Sequence, residues 1–235
     1  MIDSYVALDL ETTGLNPCSD RIIEIGAAKV IDGKVVDTIS QLIDPRTAVS
    51  PRVIELTGID PSMLKGMPII DEVIRYVIEF SDNMPILGHN IIFDYSFLKK
   101  AAVNNRLDFQ RDGIDTLKMS RRILPELEHR GLEYLCNYFS IRPENSHRAL
   151  DDAISAMNLY NKLYELSPGD RGFTEAVELN YTVKRDTPIT PAQKSYLSKL
   201  INCHSISFVT EIDSLTKSEA SRIIDNIISS YGRLT

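Results

Sequence analysis

The chain has 235 residues, 43% hydrophobic and 25% charged, which reads as soluble and globular and is long enough for one well-buried domain plus a smaller appendage. No apolar run approaches the ~18 residues that a membrane span needs. No charged leader or cleavage site precedes Tyr5, and three widely spaced cysteines (Cys18, Cys136, Cys203) fit neither a disulfide framework nor a zinc site, so a cytoplasmic protein without a membrane partner is expected. The formal net charge of −7 argues against a broad basic nucleic-acid surface. It is compatible with plain solubility, and with a site where carboxylates hold cations.

Residues 5–10 alternate and are β-rich, which predicts a strand. Residues 22–30 and 34–43 predict two more, joined by a hairpin turn at Asp32-Gly33. Residues 51–56 predict a short helix, 69–80 a helix with 3.6-residue periodicity, and 85–88 a short buried strand. A helix over 93–104, a brief strand over 113–116 and helices over 132–139 and 149–163 follow. The order predicts an α/β domain over residues 1–166: a mixed five-stranded sheet flanked by helices. Pro168, Gly169, Gly172 and Pro188 punctuate a polar stretch read as a linker, 167–189. Residues 190–235 read as a small helix–strand–helix module. Its helices open on capping boxes, Thr190 to Gln193 and Thr216 to Glu219, with a strand over 206–209 between them.

Three acidic segments carry the chemistry. In Asp9-Leu10-Glu11-Thr12-Thr13-Gly14, strand alternation puts Val6, Leu8 and Leu10 on one face and both carboxylates on the other. Side by side they repel unless a cation lies between them, and hard divalent ions favour such oxygen ligands. A solvated acidic edge fits the pair equally well. Thr-Thr-Gly adds a tight turn with exposed N–H groups at the strand's C-terminal end, where α/β sheets place ligands. In Gly88-His89-Asn90-Ile91-Ile92-Phe93-Asp94 a strand gives way to a helix, and Asp94 sits in its first turn, where it also complements the helix dipole.

The third segment, His147-Arg148-Ala149-Leu150-Asp151-Asp152, offers two adjacent acids. Asp152 has Ala149 and Ala156 as its i−3 and i+4 neighbours and flanks the apolar stripe of Ala149, Ala153, Ala156, Tyr160 and Leu163. Asp151 has Arg148 and Ser155 there instead. Asp152 is therefore expected to face the sheet and Asp151 water, and His147, five residues before an inward Asp, is the candidate base.

The three segments together resemble the DEDDh 3′→5′ exonucleases of the ribonuclease-H-like fold, whose motifs match Asp9 to Gly14, His89 to Asp94 and His147 to Asp152 over about residues 3–165. Residues 114–126 and 132–135 look closest to the proofreading exonuclease of bacterial DNA polymerase III. The resemblance implies that Asp9, Glu11, Asp94 and Asp152 hold two Mg²⁺ or Mn²⁺ ions. Asp9 would bridge them and His147 would act as general base, with Glu11 also counted in the catalytic set. It implies that Thr12, Thr13, Gly14 and Leu15 seat the terminal nucleotide, with Leu15 as a wedge beside the last base. Thr57, Gly58, Ile59, His89, Asn90 and Phe93 would complete the nucleotide pocket, although core packing also explains Leu15, Ile59 and Phe93.

The function expected from this is hydrolysis at the 3′ end of DNA, single-stranded before other forms, with release of nucleoside 5′-monophosphates. A DNA polymerase or another replication protein is the expected partner, in proofreading or repair. Two alternatives stay open: trimming of RNA 3′ ends, and a non-catalytic module tethering a polymerase.

Overall fold

The computed structural model describes residues 1–142, 148–208 and 210–234. The chain divides into two units, one of Met1–Pro45 with Val49–Val183, the other of Arg46–Ala48 with Lys184–Thr235.

The first unit is built on a six-stranded sheet. Its strands are β1 (Tyr5–Thr12), β2 (Ile22–Ile31), β3 (Lys34–Leu42), β4 (Ile86–Gly88), β5 (Asp112–Asp115) and β6 (Val177–Glu178), in spatial order β3-β2-β1-β4-β5-β6. β1–β4 and β4–β5 pair in parallel; β1–β2, β2–β3 and β5–β6 pair antiparallel. Asp32 and Gly33 take φ of 49° and 72° between β2 and β3, the doubly left-handed turn whose twist matches the flanking strands.

The helices of this unit are α1 (Pro51–Thr57), α2 (Pro61–Leu64), α3 (Ile70–Ser81), α4 (Ile92–Asn104), α5 (Thr116–Ile123), α6 (Leu132–Tyr138) and α7 (Ala149–Leu166). The alternation of β1 sorts them into two layers. Val6, Leu8 and Leu10 join a core with Ile74 and Val77 of α3 and Tyr95 and Leu98 of α4. Tyr5 and Ala7 join the opposite core, with Met119 of α5, Leu135 of α6 and Ala153, Ala156, Tyr160 and Leu163 of α7. Asp9 and Glu11 continue the Tyr5–Ala7 row, so they open on the side covered by α7.

The sheet has one strand more than the five expected, and β6 lies inside the stretch read as linker. Phe173 and Leu179 of that stretch are buried in the two cores, and Leu179 N–H donates to the Arg111 carbonyl at 3.1 Å. Residues 167–183 therefore fold with the first unit. β6 has only two residues, both exposed, so no alternation announces it. α2 and α5 are also additional to the expected elements: each starts on an Asx cap, Asp60 accepting Ser62 N–H at 2.8 Å and Asp115 accepting Leu117 N–H at 3.0 Å, which resembles a turn in sequence.

In the second unit, α8 (Pro191–Cys203) and α9 (Lys217–Tyr231) begin on the two expected capping boxes. They enclose a core of Leu197, Leu200, Leu215 and Ile227. Between them Ile206–Phe208 is not a strand, and Val209 lies outside the described residues. Among the described residues, 206–208 pair with no strand; instead Ile206 N–H returns to the Ile201 carbonyl at 3.0 Å as the end of α8. Among the described residues, no helix is long and apolar enough to cross a membrane.

Candidate active site

The carboxylates gather where β1 outruns β4. Along the β4 side of β1, Val6 N–H donates to the Pro85 carbonyl at 3.0 Å. By Leu10, β4 has ended, and the open Leu10 N–H is met at 3.1 Å by Asp94 Oδ1 from the first turn of α4. Asp94 is only 3% exposed, so one of its oxygens is fixed by main chain while the group lies beside Asp9.

Asp152 arrives from α7. Oxygen atoms of Asp9, Glu11 and Asp152 all lie within 4.8 Å of one another. Asp151 is outside this group, as the helix-face argument requires. The close approach of α7 depends on Gly26, the partner of Asp9 across β1–β2. A Cβ there would stand 2.0 Å from the main chain of Ala149 and Leu150, so only glycine admits the first turn of α7.

The electrostatics follow from crowding. Burial first, then Asp94, Asp152, Glu11 and Glu24, hold the Asp9 carboxyl well above the usual carboxylate range. Burial, then Asp152 and Glu24, push Glu11 up to about 8, against a smaller opposing pull from Arg148. Asp94 is raised chiefly by burial, against the Leu10 N–H that favours its ionised form. Such a set is unfavourable without compensating positive charge. All-oxygen donors at this spacing suit a hard divalent ion, whose ligand distances of about 2.0–2.1 Å for Mg²⁺ place opposed oxygens roughly 4 Å apart. The donor set therefore fits a hard divalent cation.

The remaining expected residues fall into distinct positions. The Thr12 hydroxyl donates to the Gly14 carbonyl at 2.7 Å. Thr13 N–H donates to the Arg21 carbonyl at 2.8 Å, and its hydroxyl accepts Arg21 N–H at 2.9 Å. The turn thus closes on Arg21, and the Thr13 N–H is not the exposed donor expected. A Cβ on Gly14 would stand 2.6 Å from the Asp20 carboxylate, which would have to shift. Leu15 is 85% exposed at the tip, which rules out core packing for it.

Thr57 is buried at the end of α1, where its hydroxyl donates to the Val53 carbonyl at 2.9 Å and accepts Ile59 N–H at 3.1 Å. Gly58 takes the left-handed cap at φ 67°. Ile59 is fully buried with Ile23 and Leu64, so its part is packing beside β2. Phe93 is half-buried, 5.1 Å from Phe97. Asn90 takes φ 72° and donates its N–H to Asp115 Oδ1 at 3.2 Å.

His89 is held at both nitrogens, Nδ1 by the Thr116 hydroxyl at 2.9 Å and Nε2 by the Arg130 carbonyl at 2.7 Å. Burial pushes its pKa down, and its Nε2–H donates to the Arg130 carbonyl. It links the second motif to the Arg130 loop. His147 lies outside the described residues.

Two residues to which the sequence assigned no role at the site belong here. Glu24 is the Cα partner of Glu11 and is 1% exposed, and it pairs with Arg148. A charged residue inside the apolar run Ile22–Ile25 was the signal that could have found it.

Comparison with known proteins agrees with this geometry. The family model RNase_T, described as exonuclease, matches residues 6–160. A DNA polymerase III PolC-type protein of Caldanaerobacter subterraneus subsp. tengcongensis is 37% identical over 161 residues, which is 68% of this chain and 12% of that protein. Another from Lacticaseibacillus paracasei is 29% identical over 238 aligned residues, 95% of this chain and 16% of that protein. The chain thus spans only a small part of the length of these relatives. Exonuclease X in complex with 5′ overhanging duplex DNA superposes with a TM-score of 0.56 at 26% identity, covering 70% of this chain and 93% of that one. E. coli exonuclease I with a dA16 oligonucleotide gives 0.63 at 21% identity, covering 73% and 42%, a likeness of fold. Motifs, ribonuclease-H-like sheet and family match coincide on one stretch of sequence, and the chain belongs to the exonuclease family as a 3′→5′ exonuclease of DEDDh type.

Proposed function

We propose that the chain removes nucleotides one at a time from the 3′ end of DNA by metal-dependent hydrolysis, releasing nucleoside 5′-monophosphates. The observation that carries this is the group of Asp9, Glu11 and Asp152 oxygens within 4.8 Å, with buried Asp94 bound to the Leu10 N–H between Asp9 and Glu11. In this reading Asp9, Glu11 and Asp152 hold the ions directly and Asp94 supports them from its fixed position against Leu10.

Divalent ions held by these carboxylates would supply an activated water and offset charge on the leaving oxygen. The chain's own residues do the rest. His147 takes the proton of the attacking water; an unperturbed imidazole, pKa near 6.5, suits that near neutral pH. The new P–O bond forms as the bond to the 3′ oxygen breaks, and that oxygen stays on the shortened strand. Leu15, exposed at the tip of the turn after β1, lies against the terminal base. Thr12, Thr13, Gly14, Asn90 and Phe93 line the pocket, with Thr57 and Gly58 at its rim. Ile59 and His89 act from behind, through packing and through the Arg130 loop.

DNA is favoured over RNA by the PolC-type relatives and by the overhanging duplex held by exonuclease X. A replicative polymerase as partner and a role in proofreading or repair follow from the same relatives. The free cysteines suit a reducing cytoplasm. The test is degradation of 5′-labelled single-stranded DNA and RNA of one sequence, with Mg²⁺, Mn²⁺ or EDTA. A DNA ladder shortening from the 3′ end, abolished by EDTA, is expected. Faster loss of the RNA overturns the substrate assignment, and no loss of either overturns the catalytic one.

A further inference from the structure

Glu24 is a further carboxylate on the same face as Asp9 and Glu11, because residues directly opposite in an antiparallel pair share a face. Buried and uncompensated, it would be costly, and it would compete for any cation at the site. Both of its oxygens are engaged instead. Oε1 accepts from Arg148 Nε at 3.0 Å and Nη2 at 2.6 Å; Oε2 accepts from Nε at 3.2 Å and from Ala149 N–H at 3.2 Å.

The second of these engagements matters for α7. Arg148 is the N-cap residue of α7, and its own side chain caps nothing. Glu24 supplies the missing cap from β2, taking the first helical N–H and placing negative charge at the positive end of the helix dipole. One turn on, Asp152 N–H donates to the Arg148 carbonyl at 3.0 Å, the first hydrogen bond inside the helix. The chain of contacts therefore runs from β2 through Glu24 and Arg148 to the main chain of Asp152. Gly26, two residues along the same strand, sets the distance of closest approach.

We propose that Glu24 and Arg148 are positioning residues for the cation site. Arg148 withdraws Glu24 from the carboxylate set, and the pair fixes the first turn of α7 so that Asp152 meets Asp9 and Glu11. This rests on the metal-site reading given under the proposed function. The Arg148 side chain is 38% exposed, so it reaches the solvent-facing edge of the site and can be replaced without opening the core.

The test uses the full chain with Glu24→Gln and Arg148→Met, reading Mn²⁺ binding by calorimetry, kcat on single-stranded DNA, and Tm. Outer partners of metal sites typically alter affinity or activity about 10–100-fold, and kcat is expected to fall by that order in both variants. Mn²⁺ affinity is expected to split. Glu24→Gln weakens it, because a neutral amide loses the ion pair with Arg148 and holds the first turn of α7 less firmly. Arg148→Met binds Mn²⁺ at least as tightly as the unaltered chain, because it frees the Glu24 oxygens beside Glu11. Arg148→Lys, which keeps the charge and loses the fork, should fall between Arg148→Met and the unaltered chain in kcat.

Wild-type kcat in both variants overturns the proposal. So does a parallel loss of Mn²⁺ affinity that tracks Tm, which is what a helix cap without bearing on the site would give. An unaltered chain that binds no Mn²⁺ overturns the underlying site reading and the clamp with it. One that binds Mn²⁺ and cuts DNA while the variants match it overturns the clamp alone.

Discussion

Gly26 of β2 and Ala149 of α7 touch through their main chains: a Cβ on Gly26 would lie 2.0 Å from the Ala149 carbonyl carbon. This approach lets an acid on a helix reach two acids on a strand. Gly26→Ala must push α7 outward, at a cost of about 1–3 kcal/mol for overpacking, and carries Asp152 with it. Urea denaturation should show that loss, and nuclease assays on the folded variant should show a larger loss of rate. Full activity in a folded Gly26→Ala protein would mean that the seat of α7 does not set the position of Asp152.

The two neighbouring acids of α7 should differ sharply. Asp152 lies in the cluster with Asp9 and Glu11, and Asp151 does not. Asp152→Asn is expected to abolish cleavage, and Asp151→Asn to leave it nearly intact. Single-turnover kinetics on one oligonucleotide compares them directly, and the reverse order refutes the assignment. His147→Ala should keep Mn²⁺ binding while slowing hydrolysis by ~10²-fold or more, as loss of a general base does. A rate equal to the unaltered chain removes His147 from that role.

The crowded carboxylates make a statement about stability and pH. Burial, with Asp152 and Glu24 adding to it, raises Glu11 from 4.5 to about 8, and Asp9 and Asp94 move in the same direction. Between those two values the folded chain holds a proton that the unfolded chain has released. The contribution of Glu11 is thus best at or below about pH 4.5 and declines as pH rises toward 8. In EDTA this group pulls Tm down across that window, and divalent ions should relieve the decline by offsetting the charge. Calorimetric scans with and without Mn²⁺, repeated on Glu11→Gln, test it: the variant should show a shallower pH dependence and less rescue. An equal pH slope in both chains sinks the account.

Leu15 stands out from the turn after β1, 85% exposed. Nothing in the core depends on it, so Leu15→Ala should leave Tm unchanged. Loss of a leucine side chain from a base contact is worth roughly a kcal/mol or more, so KM for single-stranded DNA should rise about 10-fold. A change in Tm with no change in KM would assign Leu15 to folding instead.

The boundary of the first unit can be checked by truncation. A chain ending at Leu166 loses the buried Phe173 and Leu179 together with β6; one ending at Val183 keeps them. The shorter form should melt at a lower temperature by calorimetry. Equal melting temperatures would show that residues 167–183 add nothing to that core.

Much of the site was written locally. Alternation along residues 5–10 sent Asp9 and Glu11 to one face, and helical spacing chose Asp152 over Asp151. Both periodicities are properties of a single element. The hairpin at Asp32-Gly33 and the capping boxes at Thr190 and Thr216 were legible for the same reason, since each lies within four residues. β6 was not, because two exposed residues carry no pattern. The expected strand after α8 failed in the other direction: among the described residues, β-prone Ile206–Phe208 find no partner strand, and strand propensity needs one.

The sequence by itself determined which residues are acidic, which faces of their own elements they occupy, and the order of the motifs that mark the exonuclease family. Only the tertiary structure decided that Asp94 takes the Leu10 N–H where β4 stops, and that Glu24 is withdrawn by Arg148. It alone decided that Gly26 is the opening through which α7 reaches the sheet. These are relations between elements up to 125 residues apart, as Glu24 and Ala149 are. They depend on how strands and helices are stacked, and no period within one element encodes that distance.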